Sequence, residues 1–261
     1  MKVIAIQRDE RFSPNSVKND RLILEMVSRS FNGIIFPEKE LTPESIRDCE
    51  LILNMGRLPK TLNILKDKSL KNALILNPGK GVEHCRRSHL QQLMQQYEIP
   101  MPPQKGSHGF WIKRGDAAAQ TREDVKYCAD DNELKNAKKR FADRGIKDII
   151  VQAHIEGDLI KFYGVEGSDF FKIYYPGDDG ITKFGDEMKN GKPKHTDFNR
   201  LQLRDKSELL SKLTGVPIYG GDAIINNHGE FFIIDFNDWP SFSRCREVAA
   251  TAIVDYIKRK Q

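Results

Sequence analysis

The chain has 261 residues, 39% of them hydrophobic and 30% charged, which is enough for one large or two modest hydrophobic cores. The net charge of +5 is only mildly basic, and no basic stripe with interleaved aromatic residues predicts a nucleic-acid partner. The four cysteines are far apart and form no C-x-x-C pair, which argues against a zinc site and a disulfide framework. Because neither a signal-peptide core nor a membrane-length apolar run is present, we expect a cytoplasmic protein without a membrane partner.

Residues 1–86 alternate between strand and helix patterns. Strands are predicted at residues 2–7, 32–37, 51–56 and 72–78, and helices at residues 16–31, 42–49 and 59–67. Such an alternation predicts a parallel sheet with helices on its faces. The turn after the first strand reads QRDERFSPNS and contains no glycine, which excludes the glycine-rich dinucleotide fingerprint at that turn.

The pattern changes after a predicted helix at residues 82–103 that ends in prolines, and we place a domain boundary at residue 86. The remainder predicts strands at 109–114 and 148–155, hairpins at 158–176 and 220–242, and helices at 131–145, 206–215 and 247–260. The first hairpin is predicted to turn at residues 166–169. The predicted fold class is therefore a parallel α/β unit followed by an α+β unit.

Residues 220–242 read GGDAIINNHGEFFIIDFNDWPSF and carry two acidic residues within a predicted buried hairpin. A two-residue turn at 228–229 would place Asp222 directly opposite Asp235, with Asn237 on the same face as Asp235. Opposed like charges are destabilising, and burial adds to their cost. Two carboxylates and an amide oxygen suit Mg²⁺, so the spacing predicts a magnesium site at these three residues. The alternative is that one Asp caps a turn while the other faces solvent.

The same segment resembles the end of the ATP-grasp fold, in which the last two strands carry an acidic residue and then acid-x-Asn, commonly followed by proline. Asp222, Asp235, Asn237 and Pro240 match those places. The resemblance covers most of the chain, because a small parallel α/β domain precedes the grasp in this family. It implies an ATP-grasp fold with ATP and Mg²⁺ as cofactors.

The resemblance also implies a domain division and a set of nucleotide contacts. Residues 1–86 would form the pre-ATP-grasp domain and residues 87–261 the two-lobed ATP-grasp domain, with a hinge near residues 151–158. Lys113, at the end of a predicted strand, corresponds to the lysine that binds the α- and β-phosphates. The hinge contacts to adenine fall on the backbone of Gln152, Ala153, His154 and Ile155, and Asp158 comes within reach of the ribose.

Two features near Lys113 bear on phosphate binding. The following loop reads GDAAAQTRED, with one glycine where the family usually has several, and it therefore departs from the family pattern. The family often places a basic residue in the preceding helix. Arg86 and Arg87 are both candidates for it.

Most ATP-grasp proteins join a carboxylate to an amine or thiol through an acyl phosphate, so the resemblance implies a ligase acting on ATP and a small anionic substrate. In such ligases basic residues on the strands after the hinge hold the acyl phosphate, and Lys161 and Lys172 occupy comparable places. Arg244, just past the acidic hairpin, would bind the acceptor carboxylate. The oligomeric state is left open, with a dimer as one alternative.

Two other functions remain open. A minority branch of the family phosphorylates inositol phosphates and has a Lys-x-Tyr strand, which Lys161 and Tyr163 match. The alanine-rich loop instead suggests a nucleotide-binding regulator without turnover.

Two polar segments are possible substrate contacts. The segment 177–204 is rich in glycine and lysine and is predicted to be a long loop. Its basic residues would either cover an anionic substrate or form a solvated linker, and they are Lys183, Lys189, Lys192, Lys194, His195 and Arg200. Ser16, Lys18 and Asn19 lie at the predicted carboxyl edge of the parallel sheet, where ligands bind in many open α/β folds. Alternatively, Ser16 would cap a helix.

Overall fold

The computed structural model of the protein describes residues 1–117, 121–179 and 189–261, with only the backbone of Asp179. Its first four strands are β1 (Val3–Gln7), β2 (Ile34–Pro37), β3 (Leu51–Asn54) and β4 (Leu74–Leu76). They form a parallel sheet in the order β2-β1-β3-β4, as the alternating pattern predicts. The first helices are α1 (Val17–Arg29), α2 (Pro59–Ile64), α3 (Gly79–His84) and α4 (Arg87–Gln96).

The predicted helix at residues 42–49 is wrong, because the segment forms successive turns. Thr42 and Ser45 exchange the hydrogen bonds of a helix start, at 3.1 and 3.3 Å. The backbone bonds that follow, from Arg47 to Glu44 and from Cys49 to Ile46, span three residues each. Asp48 then adopts a left-handed conformation with φ 60°, which ends the run before a helical turn can propagate.

The predicted helix at 82–103 divides into α3 and α4. Arg86 has extended backbone angles, φ −62° and ψ 137°, and separates the two helices. The break changes the direction of the chain, so that α4 packs its buried residues Leu90 and Met94 against a sheet of the second half of the chain.

A second, three-stranded antiparallel sheet contains β5 (Phe110–Arg114), β6 (Val125–Cys128) and β7 (Ile149–Ala153), in the order β6-β5-β7. The strand β6 was not predicted from the sequence. Helix α5 (Asp131–Asp143) packs its apolar face on this sheet, around Ile112. The opposite face of the sheet, which includes Trp111 and Lys113, is left for the cleft described below.

A third, four-stranded antiparallel sheet has the order β11-β10-β8-β9. Its strands are β8 (Asp158–Val165), β9 (Phe171–Tyr174), β10 (Ile218–Ile225) and β11 (Phe231–Asp238). The remaining helices are α6 (Pro176–Asp179), α7 (Arg200–Thr214) and α8 (Arg246–Lys260). Helix α7 begins six residues earlier than predicted, because the side chain of Asn199 caps it by accepting a hydrogen bond from Gln202 N at 2.9 Å.

The hairpin of β10 and β11 pairs Asp222 with Asp235, as predicted, but the turn is longer than predicted and β11 contains a bulge. The turn has three residues, 227–229, closed by the hydrogen bond from Asn226 N to Glu230 O, and Gly229 takes φ 77° within it. A bulge in β11 then adds one residue, Ile234, which restores the predicted register. The bulge turns Asp235 away from the core face that Phe231 and Ile233 occupy.

The parallel sheet has two buried faces with different partners. Val3 and Ala5 face α1, α8 and the third sheet, whereas Ile4 and Ile6 face a separate apolar cluster within the first half of the chain. Trp239 and Phe242 are fully buried with the residues of α8. The last helix of the chain therefore completes the core of the first sheet.

Among the residues that the structure describes, no helix combines the length and apolar character needed to cross a membrane.

Gly221 of β10 has no room for a side chain, because an added Cβ would overlap Phe162 Cζ and Asp235 O. At Gly220, on the opposite face, the nearest atoms would lie 2.9 and 3.0 Å away. We expect Gly221→Ala to lower the free energy of unfolding by about 1–3 kcal/mol, and Gly220→Ala to lower it by less. Urea denaturation followed by circular dichroism measures both, and equal losses would contradict this packing.

Candidate active site

A cleft of about 630 Å³ lies between the second and third sheets and reaches the carboxyl edge of the parallel sheet. Its lining changes character along its length. Apolar side chains from both antiparallel sheets form one part, a cluster of charged groups lies at the centre, and polar loops that follow β1, β3 and β11 line the far end. Such a change suits an elongated ligand with an apolar and an anionic part.

The apolar part, which we call the apolar slot, is formed by five side chains. They are Trp111 and Val125 of the second sheet, and Leu159, Ile224 and Ile234 of the third. Because the two sheets face one another here, a flat ring would be covered on both sides.

The centre of the cleft holds the two opposed carboxylates together with cations. Lys161 Nζ lies 2.5 Å from Asp222 Oδ1, and Arg87 Nη2 lies 3.3 Å from Asp235 Oδ2. Burial alone would raise the pKa of Asp235, but Arg87, Lys113 and Lys161 outweigh it and hold that pKa below its usual value. Burial opposes the charge of Lys161, and Asp222 outweighs it, so that its pKa is raised. Asp235 and Lys161 are therefore charged at neutral pH.

Lys113 is buried between the two sheets and joins them. Its Nζ donates hydrogen bonds to Gln152 Oε1 at 3.0 Å and to Ile234 O at 2.9 Å. Burial lowers its pKa from 10.5 to about 8, because the nearby Asp235 only partly offsets the loss of hydration. Among the described residues, no carboxylate is bonded to this lysine, and an anion that enters the cleft would supply a counter-charge.

The predicted magnesium ligands share the cleft, since Asp222, Asp235 and Asn237 all line it. Among the described residues, Asp222 Oδ2, Asp235 Oδ1 and the amide of Asn237 have no hydrogen-bond partner. Oxygen donors of this kind fit Mg²⁺, which keeps several waters and takes few protein ligands. Within the described ranges, no group of three or more His, Cys, Asp or Glu side chains forms a metal cluster, so a fuller all-protein cage is absent there.

The structure distinguishes the two candidate arginines. Arg86 is half exposed and lies 3.7 Å from Glu83, whereas Arg87 points into the cleft. Besides its contact with Asp235, Arg87 donates hydrogen bonds to Arg114 O at 3.4 Å and Ala117 O at 3.3 Å. It thus connects the start of the loop after Lys113 to the acidic hairpin. Ala118, Ala119 and Gln120 of that loop lie outside the described residues.

The predicted hinge lies at the end of the apolar slot, where Gln152, Ala153, His154 and Ile155 all line the cleft. Two of its backbone amides make hydrogen bonds within the protein. Ala153 N donates to Pro103 O at 2.7 Å, and His154 N donates to Gly109 O at 2.9 Å. The His154 ring accepts a hydrogen bond from Trp111 Nε1 at 3.0 Å, and burial lowers its pKa. A ligand would therefore meet the other backbone groups of this segment.

Asp158 is buried and does not line the cleft among the described residues. Its carboxylate accepts hydrogen bonds from Lys194 N at 2.6 Å and Thr196 N at 2.7 Å. The ribose contact predicted for Asp158 stays a prediction. In the structure, this carboxylate holds the backbone of residues 194–196.

The predicted catalytic residues differ in whether they line the cleft. Lys161 and Arg244 line the cleft, and the Arg244 guanidinium lies 5.7 Å from the centre of the Tyr174 ring. Lys172 is exposed on β9, opposite Tyr163 in the strand register, and is not among the described cleft residues. Its predicted role therefore has no contact to support it.

The polar loops contribute some of the predicted substrate contacts. Ser16 and Asn19 line the cleft, whereas Lys18 is not among the described lining residues. In the segment 177–204, Lys189 lines the cleft, and Lys183 lies outside the described residues.

The other basic side chains of the segment 177–204 lie away from the cleft lining among the described residues. His195 Nε2 lies 3.1 Å from Asp178, and Lys194 Nζ donates to Asn227 Oδ1 at 3.3 Å. Arg200 opens α7. Whether these residues cover a substrate therefore stays an open prediction.

Sequence reasoning missed two buried ion pairs at the far end of the cleft. Arg8 Nε lies 3.1 Å from Asp20 Oδ2, and Arg57 Nη2 lies 2.7 Å from Asp238 Oδ1. Arg8 directly follows β1, and Arg57 lies in the loop three residues after the end of β3. Both are at the carboxyl edge of the parallel sheet, and this position is the signal that could have identified them.

A buried carboxylate holds the two loops that carry these arginines. Glu38 accepts hydrogen bonds from the backbone amides of Asp9, Arg57 and Leu58, at 2.5, 2.7 and 2.7 Å. Because it bonds to the chain after β1 and to the chain after β3, Glu38 fixes one loop relative to the other.

Solved structures similar to the chain include several ligases and synthetases. D-alanyl-alanine synthetase A from Vibrio cholerae O1 biovar eltor has a TM-score of 0.67 at 11% identity, over 99% of this chain and 98% of its own. A D-cycloserine synthetase has a TM-score of 0.66 at 11% identity, over 98% and 99%. D-alanine–D-alanine ligase from Bacillus anthracis has a TM-score of 0.62 at 12% identity, over 100% and 98%.

Comparisons with protein-family models and with curated protein sequences return no match. The structural likenesses extend over nearly the whole chain and confirm the ATP-grasp fold predicted from the acidic hairpin. The chain therefore has the ATP-grasp fold. At such low identity the likeness establishes the fold, and the activity has to be argued from the site.

The buried Lys113 makes stability depend on alkaline pH. Because its pKa is lowered from 10.5 to about 8, the unfolded chain binds more protons than the folded protein between these values. Stability contributed by this site therefore rises as pH increases through that window, by on the order of 3 kcal/mol. We expect Lys113→Met to remove this rise and the exposed Lys138→Met to keep it. Chemical denaturation at pH 7 and pH 10 measures the difference, and parallel curves for the wild type and Lys113→Met would refute the assignment.

Proposed function

We propose that the protein is an ATP- and Mg²⁺-dependent carboxylate–amine ligase that acts through an acyl phosphate on a small substrate. The observation that carries this proposal is the arrangement along one cleft of an apolar slot, the buried Lys113 and the opposed pair Asp222 and Asp235. A nucleotide matches this order, with its base in the slot and its phosphates beside the charged centre.

The proposed roles follow from the charges in the cleft. Lys113, charged below a pH of about 8, would bind the phosphates, and their approach would raise its lowered pKa. Arg87 would hold the loop after Lys113 against the acidic hairpin. Asp222, Asp235 and Asn237 would hold Mg²⁺, which would neutralise phosphate charge when bound. Lys161 would then be released from Asp222 to contact the transferred phosphoryl group.

In the proposed reaction a substrate carboxylate oxygen attacks the γ-phosphorus of ATP, and the bond to the ADP oxygen breaks. The amine of the second substrate then attacks the acyl carbon, and inorganic phosphate leaves. The protein's contribution is to align the groups and to exclude water. Arg244, Ser241 and Ser243 line the far end of the cleft, where they would position the acceptor.

The paired arginines favour the ligase over an inositol phosphate kinase. Beside Arg244, the far end carries Arg8 and Arg57, and each of these two already has a carboxylate partner, in Asp20 and Asp238 respectively. A substrate with several phosphate groups would need unpaired cations. A zwitterionic or singly charged acceptor fits this neutralised surface better, and D-alanine, which the neighbouring ligases are named for, is one such molecule.

We also propose the domain division predicted from the sequence. Residues 1–86 would be the pre-ATP-grasp domain and residues 87–261 the ATP-grasp domain, with the hinge near residues 151–158. The confinement of the parallel sheet to the first range and of both antiparallel sheets to the second supports this division.

The activity is tested by phosphorus NMR of the protein with Mg·ATP and a panel of amino acids that includes D-alanine, followed by a pooled metabolite extract. We expect ADP and inorganic phosphate in equal amounts, and only when a substrate is present. ADP with a new phosphoester and no inorganic phosphate would instead establish a kinase. Binding of Mg·ATP without any turnover would establish a regulator.

We expect Asp235→Asn to reduce turnover by about 100-fold or more, because it removes one of two metal carboxylates in a site built on charge stabilisation. The matched control is Asp255→Asn, an exposed position on α8, which should leave turnover unchanged. Circular dichroism and thermal unfolding of both variants report the fold. Full activity in a folded Asp235→Asn protein would overturn the metal assignment.

A further inference from the structure

A short segment crosses the hinge and closes one end of the apolar slot. We call this segment, residues 189–197, the strap. It precedes α7, and its residues Lys189 and Asn190 line the cleft. The proposed chemistry gives the strap no role, since the reacting groups lie at the other end of the slot.

Asp158 anchors the strap. Its two carboxylate oxygens each accept one backbone hydrogen bond, from Lys194 N at 2.6 Å and Thr196 N at 2.7 Å. Burial alone would raise the pKa of Asp158, but these bonds outweigh it and lower that pKa, so the carboxylate is charged at neutral pH. The strap is also held by the packing of the His195 ring against the tilted Tyr175 ring, with ring centres 4.3 Å apart.

The anchored strap carries Asn190 to the hinge. Its amide nitrogen donates a hydrogen bond to Ile155 O at 3.1 Å, which fixes the orientation of the side-chain amide. Its Oδ1 atom is buried and accepts no hydrogen bond among the described residues. Buried polar atoms are nearly always paired, so the unpaired oxygen of this cleft-lining residue is a candidate acceptor for a donor on a ligand.

The slot supplies the context for that donor. Its apolar walls suit the faces of a purine, and its end is formed by the hinge backbone and Asn190. Adenine carries an amino group at its sixth position, which donates hydrogen bonds. Guanine carries a carbonyl oxygen there, which would face the Asn190 oxygen and leave both acceptors unpaired.

We propose that Asn190 selects adenine over guanine by accepting a hydrogen bond from the 6-amino group, and that Asp158 is the positioning residue that holds the strap in place. The inference rests on the proposed function, in that it assumes a nucleotide base in the slot. It assigns Asp158 a role different from the ribose contact predicted from the resemblance.

The test compares binding of non-hydrolysable triphosphates of adenosine, guanosine and purine riboside, each with Mg²⁺, by isothermal titration calorimetry. Purine riboside has no substituent at the sixth position and isolates the contribution of the amino group. In the wild type we expect the adenosine form to bind about tenfold more tightly than the purine riboside form, as one buried hydrogen bond implies. The guanosine form should bind more weakly than both.

In Asn190→Ala the preference for adenosine over purine riboside should fall to about one, and the penalty for guanosine should shrink. The matched control is Asn227→Ala, which also removes an asparagine that contacts the strap, but from outside the slot. It should keep the wild-type ratios. Unchanged ratios in Asn190→Ala, or equal losses in both variants, would overturn the assignment.

Asp158→Asn tests the positioning role, because an amide can accept only one of the two backbone bonds. We expect faster hydrogen–deuterium exchange at Lys194 and Thr196, together with a smaller preference for adenosine. Faster exchange with an unchanged preference would overturn the positioning role. If the wild type binds no triphosphate, the proposed function fails; if it binds all three equally, only the selection by Asn190 fails.

Discussion

The structure depends on the placement of two carboxylates opposite each other on neighbouring strands. Asp222 and Asp235 repel one another, and the protein offsets this repulsion with cations drawn from separate elements: Arg87 from α4, Lys113 from β5 and Lys161 from β8. These interactions connect α4 and both antiparallel sheets to the acidic pair. Because removal of a single charge would leave the others unbalanced in a buried setting, the geometry of the cleft and the stability of the fold are coupled.

The far end of the cleft shows the opposite use of charge. Arg8 and Arg57 are each matched by a carboxylate within the protein, so that these two arginines add no net charge to this surface. At the charged centre, by contrast, the hydrogen bonds of Lys113 within the described part of the chain go to neutral oxygens. Under the proposed function, the charged centre would bind the phosphates and the far end would select the acceptor by shape and hydrogen bonding.

Local signals predicted much of the fold and the centre of the site, because alternation, capping and hairpin geometry are short-range properties. The opposition of Asp222 and Asp235 was predicted correctly, although the assumed turn was one residue too short and the bulge at Ile234 made up the difference. The ion pair between Arg57 and Asp238 could not be predicted in this way, since it joins residues 181 positions apart. The hydrogen bonds from the strap to Asp158 were likewise not predicted, because they depend on the conformation of a segment with a weak sequence pattern.

The packing of α8 has a consequence for how the protein is made. The last helix shares a core with Val3 and Ala5 of the first strand, so the parallel sheet lacks part of its cover until the end of the chain is available. At ribosomal speeds of about 5–20 residues per second, the wait lasts roughly 10–50 s. During that time the growing polypeptide exposes the apolar face of the parallel sheet that α8 later covers, and such surfaces bind chaperones. Sequence changes in α8 should therefore reduce the yield of protein in the cell before they alter the chemistry of the cleft.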